Sequence, residues 1–213
     1  MIQATSLYQF LLKSYVNETV NKIVSKIIDT VVLAAGCSAR TGNKNKLLLN
    51  FRNKTLASYA INAALNSKSN CVHIVTGYQN HRLVTTFENT AVHFIYNPQY
   101  RDGIASSISR AVQELYQKVD GLIFSLADMP WVTSNHFDML IDAFNENKVC
   151  AMHYLGQRGH PILFPRNWFD DLTKLRGDKG AKNLLDDANE SITVVEAENN
   201  SILRDIDRLE DFI

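Results

Sequence analysis

Along the first part of the chain apolar residues recur at three- and four-residue steps; from Thr30 onward they gather into short continuous runs. Leu12, Val16, Val20, Ile23, Val24 and Ile27 form one stripe, with Lys13, Asn17, Glu18, Asn21 and Lys22 between them. Residues 1–28 therefore predict an amphipathic helical extension. Its stripe suits packing back on the domain or against a second subunit, and its polar face is not basic enough for a membrane surface. Downstream, apolar runs at 30–33, 71–76, 92–96, 122–126, 149–153 and 192–195 predict strands, alternating with helical periodicity at 56–66, 106–117, 135–144 and 181–188. That alternation builds an α/β fold, a three-layer αβα arrangement around a mostly parallel, Rossmann-like sheet. No repeat, low-complexity tract or Pro/Gly-rich linker divides residues 29–213, which predict a single domain.

The chain has 213 residues, enough to bury roughly 70% of its unfolded surface without a staple. Its 22 basic and 22 acidic residues cancel. With no long basic run, neither nucleic acid nor an anionic membrane is expected as the main partner, and a small ligand is favoured. Cys37, Cys71 and Cys150 are widely separated and odd in number. They suggest neither a disulfide framework nor a zinc site, and they fit a reducing cytoplasm. There is no signal-peptide pattern and no stretch of about 18 apolar residues.

Three places carry candidate chemistry. The segment Leu33-Ala34-Ala35-Gly36-Cys37-Ser38-Ala39-Arg40-Thr41-Gly42 follows the first strand, with Lys46 just beyond. Small residues allow close backbone approach, Gly36 is free to take positive φ, and Arg40 and Lys46 supply counter-charge, so the loop could wrap a polyphosphate; an ordinary strand-to-helix turn is the alternative. It is neither a P-loop nor a dinucleotide fingerprint, because the Gly-Lys-Ser/Thr ending and the glycine spacing are missing. Asp128 follows the apolar run Gly121-Leu122-Ile123-Phe124-Ser125-Leu126-Ala127 and precedes Met129-Pro130. At a strand tip it could hold Mg²⁺ against phosphate oxygens, or cap the helix beginning near Ser134. Asp205 and Asp207 lie two apart and would share one face of an extended segment. One of them could complete a metal site with Asp128, and Asp207 could also cap a short helix over 208–212 with Glu210 closing the box.

These residues have a shared pattern. Leu33-Ala34-Ala35-Gly36-x-Ser38-x-Arg40-x-Gly42 with Asn45-Lys46-Leu47, then Thr76-Gly77-Tyr78-Gln79, Asn97-Pro98 with Gly103 and Ser106-Ser107, Asp128-Met129-Pro130, Gly159-His160-Pro161, Gly177-Asp178-x-Gly180-Ala181 and Asp205-Ile206-Asp207 resemble, in order, the nucleotidyltransferases of the molybdenum cofactor. The likeness spans about residues 30–213 and is strongest to the cytidylyl-transferring members. It implies a nucleotidyltransferase-type sheet, Mg²⁺ as cofactor, and transfer of CMP from CTP to the phosphate of molybdopterin cofactor with release of pyrophosphate. The same chemistry on a sugar phosphate or phosphoalcohol, or a cofactor-carrying chaperone without turnover, are the alternatives.

Carried over by residue, the resemblance gives catalytic roles to Arg40, Lys46 and Asp128. Leu33, Ala34, Ala35, Gly36, Ser38 and Gly42 would contact the nucleotide phosphates, and Gly103, Ser106 and Ser107 would lie near the base. Gly159, His160, Pro161, Asp178 and Gly180 would bind the acceptor, and Asp128 and Asp207 the metal. His160 is expected to shape the pocket and not to act as a base, since an ionised phosphate nucleophile needs none. A transient complex with an apo molybdoenzyme of the xanthine dehydrogenase type is also implied. Two departures stand out: Thr41 replaces a usual methionine, and Arg208-Leu209 replace the Thr-Pro that commonly follows the second acidic position.

Overall fold

The computed structural model describes residues 26–37 and 45–212. The expected helix over 1–28 lies almost wholly outside the described residues, as do Ser38, Arg40 and Gly42. The strand expected to begin near Thr30 starts earlier. β1 (Ile28–Ala34) is buried throughout, and the Ile27 carbonyl accepts from Asp120 N–H at 2.7 Å. Residue 28 is thus already in the sheet, and the residue before it bonds to the head of β6.

A hairpin of β2 (Asn50–Phe51) and β3 (Lys54–Thr55) leads into α1 (Leu56–Leu65). Then come β4 (Val72–Thr76), α2 (Asn80–Phe87), β5 (Val92–Tyr96), α3 (Ile104–Leu115), β6 (Gly121–Leu126) and α4 (Ser134–Asp142). β7 (Val149–Tyr154), β8 (Gln157–Pro165), α5 (Phe169–Lys174), α6 (Lys182–Asp187) and β9 (Ile192–Glu196) complete the order. The sheet order is β5-β4-β1-β6-β8-β7-β9. β8 alone runs against the others, so the sheet is mostly parallel as the alternation predicts.

β8 escapes the sequence pattern because Gly159 and Pro161 interrupt it, and proline is excluded from ladder positions inside a sheet. The structure accommodates Pro161 where pairing lapses. The β7–β8 register is irregular between Ala151 and His153, and pairing with β6 reaches only Ile162. β7 and β8 are joined by Leu155-Gly156, both at positive φ (48° and 78°), the mark of a type I′ turn. α2 was equally hidden: it is rich in Asn, His and Thr, and it buries only Leu83 and Phe87.

Two cores lie on opposite faces of the sheet. Leu56, Ile61, Leu83, Phe137 and Leu140 cover one face with Ile74 and Ile123 beneath them. Ile108, Val112, Leu115, Phe169 and Leu172 cover the other, over Val31, Val75 and Phe124.

Candidate active site

The chain runs from β1 outward through β4 to β5, then returns to place β6 on the other side of β1. That reversal opens a crevice at the carboxyl ends of β1 and β6, where open α/β sheets bind ligands. A cavity of about 550 Å³ occupies it. Leu33, Ala34, Ala35 and Gly36 line it after β1, Lys46 and Asp128 face it, and Gly103, Ser107, Asp178 and Asp207 close it.

Each side chain is held by local structure. The β1–β6 ladder runs one step past β6, with Ala127 N–H donating to the Leu33 carbonyl at 3.2 Å, and this fixes Asp128 at the strand tip. The Asp128 carbonyl accepts from Ile206 N–H at 2.9 Å, which brings the C-terminal segment alongside. Lys46 opens a single 3₁₀ turn, Lys46–Leu48, capped by the buried Asn45 amide (Leu47 N–H to Oδ1, 3.1 Å) and anchored by Leu47 in the core.

The Lys46 ammonium donates to Asp128 Oδ2 (2.7 Å), the Ile206 carbonyl (2.9 Å) and Asp207 Oδ1 (3.1 Å). Burial pulls its pKa down, but the Asp128 and Asp207 carboxylates outweigh this and hold it above the usual lysine value. Asp128, Asp205 and Asp207 each offer an oxygen within 4.8 Å of the others. Lost water contact, then Asp207 and Asp128, raise the Asp205 pKa. Among the described residues, Asp128 Oδ1 is buried without a hydrogen-bond partner. An orphaned carboxylate oxygen within a set of hard oxygen donors fits a divalent cation.

The capping alternative for Asp128 does not hold. α4 is capped by Thr133 and His136, not by Asp128. At the last 3₁₀ turn, Asp211 Oδ2 accepts from Asp207 and Arg208 N–H at 3.0 and 2.8 Å.

Gly36 does not take the positive φ allowed for it, and a Cβ there would meet nothing within 4 Å among the described residues. Gly103 does require glycine. It adopts φ 92°, ψ 174°, and a Cβ would strike the Asp178 carboxylate and the Gly177 carbonyl. Ala105 N–H also donates to Gly177 O at 3.1 Å, so the segments expected at the base and at the acceptor are packed together.

Ser106 is not brought to this cavity. Its hydroxyl lies 2.8 Å from both the Gln99 and Gly103 carbonyls, and it lines a separate groove with Arg110 and Arg176. Ser107, one helical step on, does face the cavity, held by Asn97 Nδ2 at 3.0 Å. Gly159, His160, Asp178 and Gly180 line a second cavity of about 720 Å³ that shares Leu33, Ile104 and Asp178 with the first. Pro161 does not line it. A Cβ on Gly159 would meet the Ile202 carbonyl, so that glycine also serves close packing.

Sequence reasoning missed Tyr100 and Arg101, which line the nucleotide-side cavity just past β5. No motif marks them; their position at the carboxyl end of a parallel strand was the available signal.

A crevice at a strand reversal, lined by a small-residue loop, Lys46 and a carboxylate cluster, is the ligand-binding geometry of the nucleotide-binding α/β class. The chain belongs to the MobA-like NTP transferase domain family, whose profile matches residues 30–192. It is 30% identical over 193 residues to the molybdenum cofactor cytidylyltransferase of Escherichia coli (strain K12), covering 87% of this chain and 94% of that protein. It is 28% identical to the purine catabolism protein PucB of Bacillus subtilis (strain 168), over 85% and 92% of the two chains. Among solved structures, Rv0371c of Mycobacterium tuberculosis H37Rv in complex with manganese superposes with a TM-score of 0.75 at 23% identity, covering 87% and 95%. Among the described residues no helix is long and apolar enough to cross a membrane.

Proposed function

We propose that this protein transfers CMP from CTP to the phosphate of molybdopterin cofactor and releases pyrophosphate. The observation that carries the reading is one cavity at the β1/β6 reversal joining the small-residue loop, Lys46 and the Asp128–Asp205–Asp207 cluster, with an acceptor-sized cavity opening beside it through Asp178. The curated relative named for cytidylyl transfer to this cofactor supports the choice of substrates.

In this reading the backbone at Leu33, Ala34, Ala35 and Gly36 lies along the triphosphate, with Ser38, Arg40 and Gly42 continuing the loop. Asp128 and Asp207 would hold Mg²⁺, and Asp205 lies close enough to take part; the manganese in the Rv0371c complex supports a divalent cation. When bound, the ion neutralises charge on the triphosphate. Lys46 and Arg40 stabilise charge growing on the departing pyrophosphate. Ser107 and Gly103 bound the base and ribose side, and Gly159, His160, Asp178 and Gly180 line the cavity that would take the acceptor, its phosphate in line with the α-phosphorus. Positioning and electrostatics carry the rate, and no protein base is required. A transient complex with an apo molybdoenzyme of the xanthine dehydrogenase type would receive the product.

Base choice follows from volume. Ala35 is buried beside the cavity, and in this reading its methyl would narrow a backbone-lined pocket that a pyrimidine tolerates better than a purine. A clash of this kind is worth about 10- to 200-fold. Pyrophosphate release with molybdopterin and a panel of triphosphates tests the reading: CTP should lead GTP by that margin, and Ala35→Gly should narrow the gap. Equal use of GTP, or transfer only to a sugar phosphate, would overturn it.

A further inference from the structure

Two imidazoles line the acceptor-side cavity, and neither lines the cavity that holds Lys46 and Asp128. Two histidines project from neighbouring strands on either side of the β7–β8 register break: His153 from β7 and His160 from β8. Both line the cavity. Among the described residues, His153 Nε2 and His160 Nδ1 are each buried with no hydrogen-bond partner. A buried ring nitrogen without a partner is costly, and its persistence marks a place where a ligand group completes the bond.

The protonation states follow from the surroundings. Burial pulls the His160 pKa down, against smaller opposing effects of a bond to the Phe124 backbone and of the Asp128 charge. Burial also lowers His153, and Arg158 adds to this against Glu196. Both rings are therefore neutral near pH 7. A neutral imidazole carries one N–H and one bare lone pair, so each unpartnered ring nitrogen requires a complementary polar atom from its ligand.

The remaining walls say what that ligand looks like. Phe124, Ile162 and Phe164 give the cavity an apolar side, and Arg158 stands at the polar side in an ion pair with Asp186. A sugar phosphate would leave the apolar walls unfilled. A flat heterocycle with N–H donors and acceptor atoms on its edge satisfies both the walls and the two ring nitrogens.

We propose that His153, together with His160, is a specificity-determining residue that binds the edge of a planar, N–H-bearing heterocycle on the acceptor. This rests on the acceptor reading above and assigns to His153 a contact for which neither its sequence context nor the family pattern gave a signal. The ring edge would present one polar atom to His160 Nδ1 and another to His153 Nε2. The nucleotide would be untouched by either imidazole.

Free pterin, which carries the ring and no phosphate, is the probe. Its fluorescence should be quenched on binding to the wild-type protein, and it should compete with molybdopterin and not with CTP. His153→Leu and His160→Leu should each weaken pterin binding and raise the acceptor KM by about 10- to 100-fold, as expected for a lost buried hydrogen bond, with the KM for CTP within about twofold of wild type. His153→Gln and His160→Asn, which return a polar atom near Nε2 and Nδ1, should recover most of the affinity, whereas a structural role would not distinguish them from the leucine variants. Thermal melting and CTP binding confirm that each variant is folded. Unchanged pterin binding and acceptor KM in both folded leucine variants, with the wild type active on molybdopterin, would overturn this inference alone. A wild-type enzyme that ignores molybdopterin and transfers to a ring-free phosphate would overturn the proposed function and this inference with it.

Discussion

Gly103 offers a stringent test of how the two halves of the site are joined. Its φ of 92° and ψ of 174° fall in a region that only glycine occupies readily, where any other residue costs on the order of 1–3 kcal/mol. A Cβ would also collide with the Gly177 backbone and the Asp178 carboxylate, and the Gly177 carbonyl is fixed by Ala105 N–H. Backbone cannot swing aside as a side-chain tip can, so Gly103→Ala should cost about 2–4 kcal/mol in total. For a chain of this size that lowers the melting temperature by about 5–12 °C. Gly156→Ala is the control: it also has positive φ, 78°, but a Cβ there meets nothing within 4 Å, so it carries strain alone and should cost about 1 kcal/mol. Differential scanning calorimetry of both variants gives the comparison. Kinetics below the melting range should show Gly103→Ala, and not Gly156→Ala, impaired toward both substrates, because Asp178 borders both cavities. If Gly103→Ala melts no lower than Gly156→Ala, the close packing of the 103 and 177 segments is not what fixes the site.

Other outcomes follow from the same geometry. Leu155 is 85% exposed at φ 48° in the β7–β8 turn, so Leu155→Asn, a residue that tolerates this conformation, should raise the melting temperature by about 1–3 °C; a decrease would refute the turn assignment. His136 Nδ1 accepts from Thr133 N–H at 2.9 Å, and burial lowers its pKa. Above about pH 6.5 the ring is neutral in both folded and unfolded chains, and as pH falls below that the unfolded chain takes up the proton first, so stability drops with acidification. In urea titrations between pH 7.5 and 5.5, His136→Asn should flatten that dependence, and an equally steep variant would contradict the capping role. Lys46→Met should lose about 10²-fold or more in turnover, yet bind Mn²⁺ more tightly in the absence of nucleotide, because its ammonium contacts two of the carboxylates that would take the ion; weaker Mn²⁺ binding by calorimetry would refute that competition.

The central strands were legible because burial on both faces turns them into apolar runs: β1 and β6 read directly from Val31-Val32-Leu33 and Leu122-Ile123-Phe124. β8 was not, since the residues that place it beside the acceptor cavity, Gly159 and His160-Pro161, are those that break a strand pattern. The candidate site was legible wherever a strand tip alone determines position, as for Asp128. It failed where helix phase decides. Ser106 and Ser107 are indistinguishable in sequence, but the turn of about 100° between neighbours on α3 sends one to a separate groove and the other to the cavity. Arg101 and His153 carry no local pattern, and only the folding of β5 and β7 against their neighbours brings each to its cavity.

Asp128→Asn tests the account most directly, because it keeps the shape of the strand tip and removes the charge that organises the cluster. In a pyrophosphate-release assay with CTP, molybdopterin and Mg²⁺, the wild-type protein should turn over. The variant should fall by about 10²-fold or more, with a melting temperature within a few degrees of wild type. Mg²⁺-dependent turnover retained by Asp128→Asn would contradict the assignment of this cavity as the site of nucleotidyl transfer.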